Sequence, residues 1–116
     1  MPKPHQYREA IDALVRACRT GQGQVGAQRA LNGVWNQNAN STFLQDEHRL
    51  NELLRGLTEQ DRNAIAKALA QEFEAGVFEA LKVLEELRIS PFQDGYEGAA
   101  YHDFIGRLGG WEWPHE

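Results

Sequence analysis

Residues Thr58–Arg88, TEQDRNAIAKALAQEFEAGVFEALKVLEELR, decide the fold. Thr58 reads as an N-cap, a hydroxyl able to accept a hydrogen bond from a free N–H of a first helical turn. Glu59 and Asp61 place negative charge where the helix dipole favours it. From there apolar residues recur at helical spacing: Ile65, Ala66, Leu69, Phe73, Val77, Ala80, Leu81, Leu84 and Leu87. At about 100° per residue they form one broad stripe, wide enough to face a core. The pattern predicts one long organising helix over about 59–88, with the remaining helices collapsed on its ridge through Leu69, Phe73 and Leu84.

Length limits how such a helix can be used. A rod of this size spans roughly 45 Å at about 1.5 Å per residue, whereas a compact chain of this length is about 35 Å across. Gly76 is the cheapest point of weakness, since glycine costs about 1 kcal/mol against alanine inside a helix. The helix is therefore expected to kink or split near Gly76, the alternative being a second subunit that covers the overhang. Two residues depart from the stripe. Arg62 projects along it, either snorkelling outward with its stem on apolar surface or aiming a fixed cation into a pocket. Phe78 points away from it, either under another segment or toward a partner.

Upstream, a helix over about 43–56 turns Phe43, Leu50, Leu53, Leu54 and Leu57 inward, starting from Ser41 or Thr42. Gly56 makes a short turn into Thr58, so the two helices form an antiparallel hairpin. Residues 21–42 are rich in Gly, Gln and Asn, yet so long a stretch without structure would be unusual in a compact domain. Val25, Leu31, Val34 and Trp35 allow a short helix near 24–36. The chain's first helix, about 5–19, carries the stripe Tyr7, Ile11, Leu14, Val15 and Cys18. Downstream, Pro91 and Asp94-Gly95 break the helix, and a last one over about 96–108 packs Ala100, Tyr101, Phe104, Ile105 and Leu108. Asp103 and Arg107 are spaced to pair on its flank. Strand alternation and long-period repeats are absent, so residues 1–116 read as a single all-α domain, a compact bundle of four to five helices.

Charge and composition exclude several roles. The net charge of −5 argues against nucleic acid as a partner, which needs a basic footprint. Residues 1–45 carry a balance of +3 and residues 46–116 one of −8, which either holds the halves together or offers an acidic face to a basic partner. The start, MPKPHQYREA, has no apolar export segment, and no run approaches a membrane span, so a cytoplasmic, membrane-free protein is expected. The lone Cys18 rules out an internal disulfide and, on an apolar stripe, reads as an inert buried thiol.

Catalytic and cofactor motifs fail one by one. GQGQVG lacks the preceding strand and following lysine of a phosphate loop. One cysteine and histidines at 5, 48, 102 and 115, without helical pairing, make no zinc site, and His48 reads as solvated. Neither a metal nor a cofactor is expected. What remains is the ending YHDFIGRLGGWEWP. Its tryptophans can pin the tail over the helices, wall a shallow pocket with Arg107, His102, Asp103 and Arg62, or anchor a protein partner. Trp111 and Trp113, two apart, share a face if the tail is extended.

With the preceding LTEQDRNAIAKALAQEFEAGVFEALKVLEEL, this ending resembles a family of small uncharacterised bacterial proteins of unknown function. The shared features are the Thr58…Asp61-Arg62 helix start, the Gly76-Val77 step, and Asp103-Phe104…Arg107-Leu108…Gly110-Trp111…Trp113-Pro114. The likeness covers roughly residues 45–114 and leaves out the Gly/Gln-rich part. It implies a bacterial source and carries over no catalytic residue. The sequence thus points to a non-catalytic helical protein that binds a protein partner or itself as a homodimer, with Arg62, Phe78, His102, Asp103, Arg107, Trp111 and Trp113 as candidate contact residues. The alternative is a small-ligand or enzymatic pocket at the C-terminal helix and tail.

Overall fold

A computed structural model describes residues 5–115, and all of its regular structure among those residues is helical. Five α-helices follow in order: α1 His5–Arg19, α2 Val25–Asn32, α3 Gln45–Arg55, α4 Glu59–Glu86 and α5 Ala100–Leu108, with a 3-10 turn at Gln22–Gln24 before α2. The all-α reading holds. The chain divides into two compact units: one contains α1, α4 from Glu74 onward, α5 and the tail, and the other is Thr20–Phe73.

α4 runs unbroken through Gly76, so the split expected there does not occur. At 28 residues it is about 42 Å long, and it serves both units rather than one. Nothing lies within 4 Å of where a Gly76 side chain would stand, so no close packing demands the glycine. Thr58 does cap the helix, its Oγ1 accepting from the Asp61 N–H at 3.1 Å. The expected ridge is only part of the core: Ala66 and Leu81 are buried, Leu69, Phe73 and Leu84 are half-buried, and Ile65, Ala80 and Leu87 are exposed. α4 carries apolar residues all round, so its sequence overstates how much of it a core can take.

In the first unit the deepest side chains come instead from the chain's two ends. Tyr7, Ile11 and Cys18 of α1, Leu81 of α4, and Ala100 and Phe104 of α5 are buried, and α1 packs on α5. Full burial of one such ring or aliphatic side chain is worth about 2 kcal/mol. Arg19 closes the far end of α5, Nη2 donating to the Leu108 carbonyl at 2.6 Å where the helix dipole favours a cation. α5 starts at Ala100 rather than near 96, because the Tyr96 and Glu97 N–H groups donate to the Asp103 carboxylate at 2.7 and 2.9 Å and hold the preceding chain outside the helix.

The second unit has a small-residue core. Ala27, Ala30, Leu54 and Ala66 are buried together, with Trp35, Leu50, Leu57, Leu69 and Ala70 packed around them. α2 is shorter than the expected 24–36 because Gly33 ends it in the left-handed conformation, φ 75°, its N–H returning to Ala30. Asn51, buried on α3, then clamps the chain beyond: its Oδ1 accepts from the Trp35 and Asn36 N–H groups at 2.6 and 3.0 Å, and its Nδ2 donates to the Asn36 carbonyl at 2.7 Å. The Gly/Gln/Asn-rich stretch thus contains a 3-10 turn and α2, and the chain just beyond α2 is held by Asn51.

Candidate functional site

The C-terminal cluster, read from sequence as a pin for the tail, the wall of a pocket or an anchor for a partner, is built as a clasp. Asp103 is fully buried, and its carboxylate accepts from the Tyr7 hydroxyl at 2.5 Å as well as from the Tyr96 and Glu97 N–H groups. It does not pair with Arg107. Arg107 Nε donates instead to Asp12 Oδ1 at 2.8 Å, the other Asp12 oxygen accepts from Trp113 Nε1 at 3.0 Å, and Arg107 Nη1 donates to the Trp111 carbonyl at 2.6 Å. A carboxylate on α1 outcompetes the one a turn away because Asp103 already has three donors inside the fold.

The rings close around these bonds. Trp113 meets Tyr7 at 6.0 Å, Tyr96 at 5.4 Å and Trp111 at 5.3 Å between centroids, all edge-to-face. Arg107 lies 5.4 Å from the Trp113 ring and Arg8 5.5 Å, and Arg8 Nη2 also donates to the Pro114 carbonyl at 2.8 Å. Burial and the adjacent Asp103 carboxylate push the Tyr7 phenol far above its ordinary range. Burial likewise raises the Cys18 thiol, with Glu74 adding to the effect.

The other candidates fall elsewhere. Phe78 packs edge-to-face on Tyr101, 5.0 Å between centroids, so it lies under α5 rather than free for a partner. His102 stacks beside Tyr101, and its Nδ1 accepts from the Ala99 N–H at 3.2 Å, closing the first turn of α5. Arg62 belongs to the other unit, with its guanidinium packed against Gly33 and its Nε buried without a partner among the described residues. Thus Arg107, Trp111 and Trp113 come together, Asp103 joins them through Tyr7, and Phe78 and His102 form a separate pair around Tyr101. Sequence reasoning missed Asp12, Arg8 and Tyr96, whose roles in the clasp have no local signal. Among the described residues, no group of three or more His, Cys, Asp or Glu is placed to hold a metal, and no helix is long and apolar enough to cross a membrane.

A different surface is left open. Phe43 and Leu53, expected to face inward, are 57% and 58% exposed, and Leu44 is exposed beside them. The reason is the turn before α3. Asn40 Oδ1 accepts from the Thr42 and Phe43 N–H groups and the Thr42 hydroxyl, each at 2.9 Å, and Asn40 and Phe43 exchange two backbone hydrogen bonds. Leu44 then begins the helix from a left-handed conformation, φ 54°, which a leucine adopts only under constraint. These bonds take the place of the Ser or Thr cap expected at Ser41 or Thr42, and along α3 Asn51 and Leu54 are the buried residues. Leu53 borders a recess of about 610 Å³ lined also by Asp46, Arg49, Leu50 and Glu52. An Asx turn is legible from the Asn-x-Thr-Phe run, but its effect on the helix face is not.

Comparison with protein-family models matches residues 2–115 to a family of unknown function (DUF6547), and the chain belongs to that family. The match includes the Gly/Gln/Asn-rich stretch. Comparison with curated proteins and with solved structures gives no match.

Proposed function

We propose that this member of the family acts by binding a protein through the outer face of α3, while the C-terminal cluster serves as the clasp that joins the chain's ends. The observation that carries the reading is Phe43: a large aromatic side chain 57% exposed on a turn fixed by five hydrogen bonds. A side chain held outward before binding loses little entropy when it docks, and that is the usual character of an interface anchor. Leu44 and Leu53 supply the apolar ground around it, and the charges of Asp46, Arg49 and Glu52 frame it. Val83, Leu87 and Ile89 are also exposed, at the end of α4, where Arg88 is left-handed and the Ile89 N–H returns to the Leu84 carbonyl, but none of them is an aromatic anchor.

The alternative, a small-ligand or enzymatic site at the C-terminal helix and tail, draws on a groove of about 620 Å³ beside Trp113, lined also by Arg8, Asp12 and Arg16. Its support is weaker, because Arg8 and Asp12 are already engaged in the clasp. Affinity capture with the tagged chain separates the two. Proteins retained by the native chain are expected to be lost with Phe43→Asp/Leu53→Asp and kept with Trp111→Ala. The reverse pattern, or a small molecule that raises the melting temperature of the native chain but not of an Arg16→Ala variant, would overturn the reading.

A further inference from the structure

We infer that the protein seated on the α3 face is a second copy of this chain, paired with it antiparallel about a two-fold axis; this rests on the reading of that face as a binding surface. A two-fold interface must be complementary to itself, so that each contact between positions i and j occurs twice. The outer face of α3 has that property in two respects. It carries a knob, Phe43, just before its N-terminal end, and a recess along its middle lined by Asp46, Arg49, Leu50, Glu52 and Leu53. It carries opposite charges, Asp46 and Arg49, that form no ion pair within the chain among the described residues. One axis position satisfies both features. Placed between Glu47 and His48, it sets Asp46 of one copy against Arg49 of the other and Phe43 against Glu52 and Leu53, the lip of the partner's recess.

A purely basic or acidic partner would match this face less well, because charges of both signs alternate along one line of it. Size sets the strength. α3 has 11 residues and spans about 16 Å, so the contact falls at the small end of specific interfaces and the pairing is weak and concentration-dependent.

The test is sedimentation velocity on the full chain over a concentration series, with circular dichroism to check folding. The native chain is expected to shift from monomer to dimer as concentration rises, and Phe43→Asp to remain monomeric. Asp46→Arg and Arg49→Asp should each weaken pairing by about tenfold or more, since every inversion acts twice in a two-fold contact. An equimolar mixture of those two variants should pair again, because each like-charged chain meets its opposite; the double variant D46R/R49D should pair as well. A native chain that stays monomeric to the highest concentration, or a dimer indifferent to these substitutions, overturns the second copy as occupant. The broader reading fails separately, and only if Phe43→Asp also leaves capture of every other protein unchanged. Should substitution at Phe43 disturb the turn, Leu53→Asp, which sits on a regular helix, gives the same readout.

Discussion

Replacing Asp103 by alanine removes the acceptor that closes the clasp. The carboxylate takes three donors: the fully buried Tyr7 hydroxyl, the N–H of half-buried Tyr96, and the N–H of exposed Glu97. Glu97 can turn to water, so two donors are left without partners. At about 1–3 kcal/mol for each buried unsatisfied group, the loss is about 2–6 kcal/mol, a large share of the roughly 5–15 kcal/mol that holds a domain folded. At this length that corresponds to a fall of about 8–24 °C in Tm. Tyr7→Phe removes a single donor and leaves the carboxylate two others, costing about 1–1.5 kcal/mol. The double variant is the sharper test. Once Tyr7 has no hydroxyl to orphan, Asp103→Ala costs less, so the two changes should fall short of additivity by about 1–2 kcal/mol. Urea unfolding followed by tryptophan fluorescence measures all three, with an unchanged m value as the control. A loss below about 1 kcal/mol for Asp103→Ala, or strict additivity, would refute the idea that the buried carboxylate holds the ends together.

Four further outcomes are expected. The Tyr7 phenol is raised in the fold, so its contribution is complete below the ordinary phenol value of about 10 and declines as pH rises beyond it; the native chain should lose stability there faster than Tyr7→Phe, and parallel curves would count against this. Cys18, buried and raised, should resist a thiol reagent at neutral pH and react fully in denaturant. Gly33→Ala should cost about 1–3 kcal/mol, because φ is 75° and the new Cβ would stand 2.7 Å from Arg62 Nη1; adding Arg62→Ala should return the steric part, which chemical denaturation can read. Asn51→Ala frees the Trp35–Asn36 backbone and should cost about 2–4 kcal/mol, with faster amide exchange at those two residues than elsewhere in the unit.

The helices were legible because their signals are local. The stripe of Tyr7, Ile11 and Cys18 gives α1 its bounds and its buried face, and Thr58 marks the start of α4. The rank of the helices was not legible. α4 has the longest apolar run, yet burial depends on what packs against it, and apart from Leu81 the largest fully buried side chains belong to α1 and α5. Neither was the clasp, whose defining bond joins residues 96 positions apart. Arg107 shows the same limit: helical spacing offers it Asp103, and the fold gives it Asp12. Phe43 and Leu53 fit an inward stripe by spacing alone, yet Phe43 falls on the Asn40 turn before a left-handed Leu44, outside α3, and both are exposed.

Hydrogen–deuterium exchange on the intact chain, dilute against concentrated, bears most directly on where this protein makes contact. Slowed exchange at high concentration in the turn and helix from Asn40 to Leu53, abolished by Phe43→Asp, is the predicted result. Protection that appears instead around Trp111 and Trp113, or nowhere along α3, would contradict it.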